Sequence, residues 1–401
     1  MLTHKQRMLK VMRGEPTDRI PFVPRLDLWW LGNAFSGKMP QKFSGMKPDD
    51  IARHYGWACY HMVPDFTNMM RGPEDILHRA IGMFQFKQSV YRWELPKDVE
   101  VKVRTEGGLQ TIEYHTPRGM VKTKGGHTEE MKKKGASLGW TREHIIKTPE
   151  DYEPVRYIFE NIRVFPQYEG AIEYEREIGE CGVVAAGGAS LGASPMHHIQ
   201  KEFIDQTQFF FEYKDNYDKL EALARSVEVY FEKVLNVIRN SPAEVVLWGA
   251  NYDETITWPP YFKKEILPWL KKAAGTLKAK GKIVATHTDG ENQGLMDLIR
   301  ESGVDVAESI TPFPMTKVKI EEYYARWKDK ITLMGCIPEC LLLKETAKAE
   351  ELDLFLDNLF KNLKPGDRLI LGIADSTPPN ADFERLERIG ERIEREGKLP
   401  I

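Results

Sequence analysis

Four residues along the second half of the chain carry side chains that bind metal ions or move protons: His287, Glu308, Cys336 and Asp375. Each stands at or just past the end of a short apolar run, in the stretches IVATH, VAES, LMGC and ILGIADS. If those runs are neighbouring strands, about 4.8 Å apart, a nitrogen, a carboxylate and a sulfur can converge on one cation. Zinc accepts that donor mixture in tetrahedral geometry and keeps one position open when it is catalytic. The expected metal set is therefore His287, Glu308, Cys336 and Asp375. Plainer readings exist for each residue. His287 can be a satisfied buried histidine, Glu308 the partner of an arginine, and Cys336 a small core residue. Asp289 and Asp375 can cap the helices that follow them. Three ligand types at three adjacent strand ends favour the shared-cation reading.

The elements that must position these groups follow from hydrophobic pattern. Eight apolar runs read as strands: Ile20–Val23, Ala58–Val63, Val183–Gly187, Val245–Gly249, Ile283–His287, Val304–Glu308, Ile331–Gly335 and Arg368–Ile373. The later runs alternate with amphipathic helical stretches at 217–239, 261–278, 295–301, 320–327, 345–363 and 381–396. Alternation implies a parallel sheet, and eight units favour a closed (β/α)8 TIM barrel in one domain over an open sheet. A leading helix spans Thr3 to Arg13, with Met8, Leu9 and Met12 on one face. It ends at Gly14, and Pro16 prevents its continuation. Between the second and third runs, residues 99–124 alternate with period two around Gly107-Gly108 and Pro117-Arg118-Gly119. That predicts an inserted antiparallel hairpin region. Residues 124–139 are polar and rich in Gly and Lys, and predict a mobile loop.

In such a barrel the reacting groups lie past the C-terminal strand ends. Those positions add Arg25, Asp27, Trp29 and Trp30 after strand one and Asp65 after strand two. Strand three is followed by GGASLGASPMHH, strand four by Tyr252 and Asp253, and strand five by Asp289. Aromatic residues near these ends, Trp29, Trp30, Phe66 and Trp258 among them, suit either packing or a pocket for a flat apolar substrate. Arg25, Trp29, Trp30, Asp65 and Asp289 are the candidate substrate-binding residues, and Asp253, Tyr252 and Asp27 the candidate proton donors or hydroxyl anchors.

Composition narrows the classes. The chain has 401 residues, with 57 Lys and Arg against 60 Asp and Glu, a net charge of −3 that argues against nucleic-acid binding by a general basic field. The run Lys132–Lys134 reads as a solvated loop. The four cysteines are too few for a disulfide scaffold and imply a reducing compartment, with Cys59, Cys181 and Cys340 in apolar packing. No GxGxxG or Walker loop stands at a strand-to-helix turn. No secretory leader and no membrane span is readable. A soluble cytoplasmic protein is expected, with room for an oligomer.

The stretch RMLKVMRGEPTDRIP, the block from His287 to Met315, and the segments GCIPECLLL and LILGIADSTPP together resemble the uroporphyrinogen decarboxylase superfamily over nearly the whole chain. The resemblance implies a TIM barrel. It also brings two activities. Decarboxylases of the family use an arginine-rich motif after strand one, an aspartate after strand two, a tyrosine and a late histidine. Here Arg25 stands without its following glutamine-alanine-glycine-arginine, Asp65 is placed for the aspartate, and no late histidine is present. The other branch holds zinc-dependent methyltransferases that work with a corrinoid protein. Its methylthiol:coenzyme M members carry His-x-Cys where His287-Thr288-Asp289 stands. Components of anaerobic O-demethylases place an acidic ligand and then a cysteine with 27 residues between them, the spacing of Glu308 and Cys336. Their next cysteine would fall at Ser376, so His287 or Asp375 would supply the third ligand.

That branch implies zinc, and cobalamin carried by a corrinoid partner protein. It implies transfer of a methyl group from a methoxylated aromatic to the cob(I)alamin. A Lewis acid at the ether oxygen would stabilise the departing phenolate by several kcal/mol. A tetrapyrrole decarboxylase or a non-catalytic small-molecule binder is the alternative.

Overall fold

Runs with no polar face must be covered on both sides, and here they form one parallel sheet. The computed structural model describes residues 2–63, 77–136, 139–188 and 192–399. Its parallel strands are β1 (Phe22–Val23), β2 (Cys59–Val63), β3 (Gly182–Gly188) and β4 (Val245–Ala250), then β5 (Ile283–His287), β6 (Val306–Ile310), β7 (Thr332–Ile337) and β8 (Leu369–Ile373). Each hydrogen-bonds to its sequence neighbour from β2 to β8, and β8 returns to β1. The Ala58 N–H donates to the Phe22 carbonyl at 2.9 Å, which brings the last two edges together. The fold is a (β/α)8 TIM barrel. At the β8–β1 seam the backbones come so close that a Cβ on Gly372 would stand 2.1 Å from the Val23 carbonyl oxygen.

Side chains alternate between two apolar layers. Val245, Leu247, Ile283, Ala285, Val306 and Met334 fill the barrel interior. Val246, Trp248, Val284, Ala307 and Leu333 face the surrounding helices. The leading helix, His4–Arg13, places Met8, Leu9 and Met12 in the interior cluster and so plugs the N-terminal end. Thr3 caps it in a reciprocal box with Gln6, and Gly14 closes it at φ 70°. The signature stretch around it is structural. Arg7 donates from Nε and Nη2 to the two oxygens of Asp18 at 2.7 and 2.9 Å.

The long excursion between β2 and β3 carries the expected antiparallel region. Strands Glu100–Glu106, Leu109–Thr116 and Gly119–Gly126 turn at the predicted glycines, and Trp140–Glu143 joins as a fourth. Ile112, Tyr114 and Val121 are its buried face. A two-stranded sheet of Tyr91–Glu94 and Arg163–Pro166 lies outside the sequence expectation.

Three expectations are corrected. Residues 124–139 are not a featureless loop. The strand runs on to Gly126, and Thr128 caps a short helix, Glu129–Lys133. Lys132 and Lys134 pair there with Glu129 and Glu130 at 2.8 and 2.7 Å. Cys59 and Cys181 are not separate apolar residues but a disulfide, with Cα atoms 5.5 Å apart. The sixth and seventh strands begin and end one or two residues later than their apolar runs. No helix among the described residues is long and apolar enough to cross a membrane.

Candidate active site at the barrel mouth

The C-terminal strand ends are conformationally unusual. Among the described residues, five non-glycine residues have positive φ, and four of them end barrel strands: Arg25 (48°), Asn251 (59°), Ser309 (62°) and Cys336 (79°). Such backbone is costly for a side chain and gathers at functional sites. The β6–β7 register also slips between Ala307 and Ile310, where Glu308 and Ser309 lie. Both features re-aim side chains at this rim.

Glu308 is fully buried and both its oxygens are engaged. Oε2 meets His287 Nδ1 in a short contact. Oε1 accepts from Arg25 Nη1 at 3.0 Å and from Ser309 Oγ at 3.0 Å. The same Arg25 Nη1 donates to the Asp375 backbone carbonyl at 2.6 Å and reaches its carboxylate at 3.4 Å. His287 Nε2 points the other way, 3.6 Å from Asp375 Oδ1. Burial opposes the charge on both His287 and Glu308, but each holds the other ionised. His287 is raised to about 9, and Glu308, with Arg25 also beside it, is lowered.

Two further carboxyls crowd this centre. Asp289 accepts from Thr311 Oγ1 at 2.8 Å, and burial, with the charge of Asp375 adding to it, pushes its pKa up. Glu339, just beyond β7, is raised to about 7 by burial and by the charges of Asp375 and Asp289. The sequence reading missed Glu339, although it stands in the quoted segment GCIPECLLL, because a residue two past a strand end gives no sign of which way it turns.

The expected residues divide. Arg25, His287, Glu308 and Asp375 form one hydrogen-bonded network, and Asp289 lies within its field. Cys336 is completely buried in the strand–helix cluster with Leu333 and Ile337. The left-handed turn at Gly335 and Cys336 breaks the alternation that would have aimed it inward. Burial keeps its thiol protonated. Among the described residues, no three His, Cys, Asp or Glu side chains stand close enough to form a metal site as they are. Trp29 packs on Phe383 and Phe43 at 5.0 and 5.6 Å, on the helix side of the barrel. Trp30 donates its indole N–H to the Met46 carbonyl at 2.8 Å. Asp27 is buried at the start of the helix Asp27–Ser36, in a small pocket shared with Asp49 and His61. Tyr252 is buried with its hydroxyl 2.8 Å from Thr286 Oγ1. Asp253 accepts from the Thr255 and Glu291 N–H groups at 2.8 and 3.0 Å and ties the β4 and β5 loops together. Asp65 and Phe66 lie outside the described residues.

Beside the acidic centre opens a cavity of about 590 Å³ between the β3, β4 and β5 loops and the strand Trp140–Glu143 of the excursion. Asp289, Asp253 and His197 line it, with Arg79, Gln200 and Lys201. Ala193 N–H donates to His197 Nδ1 at 3.0 Å, so the neutral ring carries its proton on Nε2.

A TIM barrel with a charged rim network and an adjoining pocket belongs to the class that does chemistry at the strand C-termini. The family model for Uroporphyrinogen decarboxylase (URO-D) matches residues 146–395, and the chain belongs to that family. Solved structures with this fold include a methyltransferase from Methanosarcina mazei, at 13% identity and a TM-score of 0.54, over 98% of this chain and 99% of that one. No curated protein sequence matches the chain significantly.

Proposed function

We propose that the protein is a methyltransferase of the URO-D family. It would move a methyl group from a methoxylated aromatic to the cob(I)alamin of a partner corrinoid protein, with a zinc ion at the barrel mouth. The observation that supports this reading is the surplus of acid around His287 Nε2. Burial, with the charge of Asp375 adding to it, raises both Asp289 and Glu339, and Arg25 is the basic group beside Asp375. An imidazole nitrogen and several carboxyl oxygens are donors that a divalent cation accepts. Glu308 is then the residue that fixes the ring, since metal-binding histidines commonly give their other N–H to a carboxylate. His287 Nε2 and Asp375 would hold the ion, with Asp289 completing the set after a side-chain shift. Cys336 stays in the core. When bound, the zinc would supply Lewis acidity to the ether oxygen.

The chain's own residues do the rest. Arg25 clamps Glu308 and Asp375, and Glu308 sets the imidazole, so the network is organised before substrate arrives. The partner's corrinoid would supply the electron pair that takes up the methyl group, and the ether oxygen would keep the old bonding pair and need a proton. Glu339, with a pKa near neutrality, is suited to give that proton.

The decarboxylase reading is weaker on the same geometry. A polyacid tetrapyrrole needs several basic groups, and Arg25 is committed to Glu308 and Asp375. The test is metal content of the purified protein together with methyl transfer from a panel of methoxybenzenes to free cob(I)alamin. Zinc near one equivalent, lost in His287→Ala and Asp375→Asn and kept in Cys336→Ala, is the expected result. Full zinc in both of the first two variants, or phenol release without metal, would sink the reading.

A further inference from the structure

The cavity beside the acidic centre holds an amine that the reaction proposed above does not use. Lys201 lies in the one-turn π-helix Ile199–Phe203 and lines the cavity together with its neighbour Gln200. Single π turns often mark functional positions, because the extra residue pushes a side chain out of register. Lys201 Nζ stands 3.9 Å from a carboxylate oxygen of Glu202. That is beyond hydrogen-bonding distance, and Lys201 makes no side-chain hydrogen bond among the described residues. A recessed ammonium ordinarily gives its three N–H groups to acceptors. The side chain keeps 20% of its surface open.

Two features of the wall say what such an amine can hold. The first is charge. Glu202, Asp205, Asp253 and Asp289 line the cavity against Lys201 and Arg79, so an anion is repelled and an uncharged ligand is admitted. The second is an empty acceptor. Gln200 donates from Nε2 to the Ile256 carbonyl at 2.9 Å, while its Oε1 is buried with no partner. A buried oxygen in that state suits a ligand that brings or develops an O–H group. Burial, with the charge of Arg79 adding to it and that of Glu202 opposing, holds the Lys201 ammonium below its ordinary pKa. That enlarges the share of free amine, which is the nucleophilic form. A volume of about 590 Å³ is in the range that encloses a single-ring ligand.

We infer that Lys201 is a covalent capture site for a small uncharged aldehyde, which it holds as an imine inside this cavity. The ammonium first gives one proton to solvent. The Nζ lone pair then forms a bond to the carbonyl carbon, and the C=O π pair moves to oxygen, which takes the proton that the nitrogen sheds. The carbinolamine so formed carries the O–H group that Gln200 Oε1 lacks. Its hydroxyl takes a proton back from solvent and leaves as water, while the nitrogen lone pair closes the C=N bond. Overall an ammonium and an aldehyde become an iminium and water, with no oxidant or reductant. The iminium keeps the single positive charge of the lysine, so the carboxylates of the lining face the same charge before and after. The inference goes beyond the proposed function and uses neither its metal nor its methyl transfer.

Incubation of the full-length protein with benzaldehyde and sodium cyanoborohydride, followed by peptide mapping, tests the assignment. The reagent adds hydride to the imine carbon and fixes it as a benzyl-substituted amine. Lys201 should carry the benzyl mark about tenfold or more above any other lysine, as a free amine in a binding cavity requires. Lys201→Arg, which keeps a cation, should lose that mark and leave the rest of the map unchanged. Formylbenzoate should mark Lys201 about fivefold less than benzaldehyde, because the acids of the wall oppose its carboxylate. Thermal melts separate a lost site from a lost fold, and the wild-type map carries the test if Lys201→Arg fails to fold. Marking spread evenly over the lysines, or a Lys201 mark no stronger than that of Lys132 on the exposed helix of the excursion, would overturn the site. Equal marking by formylbenzoate would overturn its preference for an uncharged ligand. None of these readouts needs metal or methyl transfer, so the capture site and the proposed activity stand or fall separately.

Discussion

The two ends of the barrel solve the same electrostatic problem in opposite ways. At the N-terminal end one arginine meets one carboxylate. Arg7 donates two parallel hydrogen bonds to Asp18, and among the described residues no other carboxylate is ion-paired to Arg7. At the C-terminal end one arginine serves two carboxylates, a histidinium shares them, and Asp289 and Glu339 remain crowded against the group. A closed pair is a stability device. An open surplus is a device for holding something else, and perturbed carboxyls in a cleft mark the end where chemistry belongs.

The sharpest way to break this contrast is at Glu308. Glu308→Ala leaves Arg25 and His287 buried without their shared partner, and should cost about 3–5 kcal/mol in urea unfolding. A loss below about 1 kcal/mol would mean that the network does not organise the mouth. Asp18→Asn at the other end should cost about 1.5–3 kcal/mol. Its effect should also depend on pH in a stated direction. The Arg7 hydrogen bond lowers the Asp18 carboxyl, so the folded state binds that proton less readily than the unfolded chain. The stabilisation is complete above the ordinary carboxylate value of about 3.9 and vanishes as pH falls through the folded value. Asp18→Asn should therefore flatten the acid limb of the stability curve, and an unchanged limb would remove the pair from the account. Cys336→Ala should cost about 1 kcal/mol through lost packing and leave the zinc content unaltered. Tyr252→Phe should cost about as much or slightly less, because one buried hydrogen bond to Thr286 goes. A large fall in zinc with either of the last two variants would mean that the centre lies elsewhere.

Much of the fold was readable because each barrel strand announces itself twice, as an apolar run and by the helix after it. Ile283–His287 and the helices Tyr217–Arg239 and Ile320–Trp327 match their sequence spans end to end. The two-stranded sheet of Tyr91–Glu94 and Arg163–Pro166 was not readable, since its partners lie far apart in sequence and neither segment alternates strongly. At the mouth, position along a strand was a good guide and direction was not. His287 lies within ionic reach of both Glu308 and Asp375, with Glu308 also paired to Arg25, but one left-handed turn sends Cys336 into the outer core. Arg79 and Lys201 carried no signal in their neighbourhoods, because they reach the cavity through the folding of the excursion and through a π turn.

The excursion leaves β2 and returns to β3, and these two strands are direct partners, with Cys59 opposite Gly182 and a disulfide from Cys59 to Cys181 at the base. Its two roots are therefore held side by side whatever lies between them. The inserted sheet can be rebuilt, lengthened or exchanged without re-registering any barrel strand, while the rim carboxylates on the far strands keep their places. The architecture leaves the excursion, one wall of the cavity, free to change at little risk to the rim network.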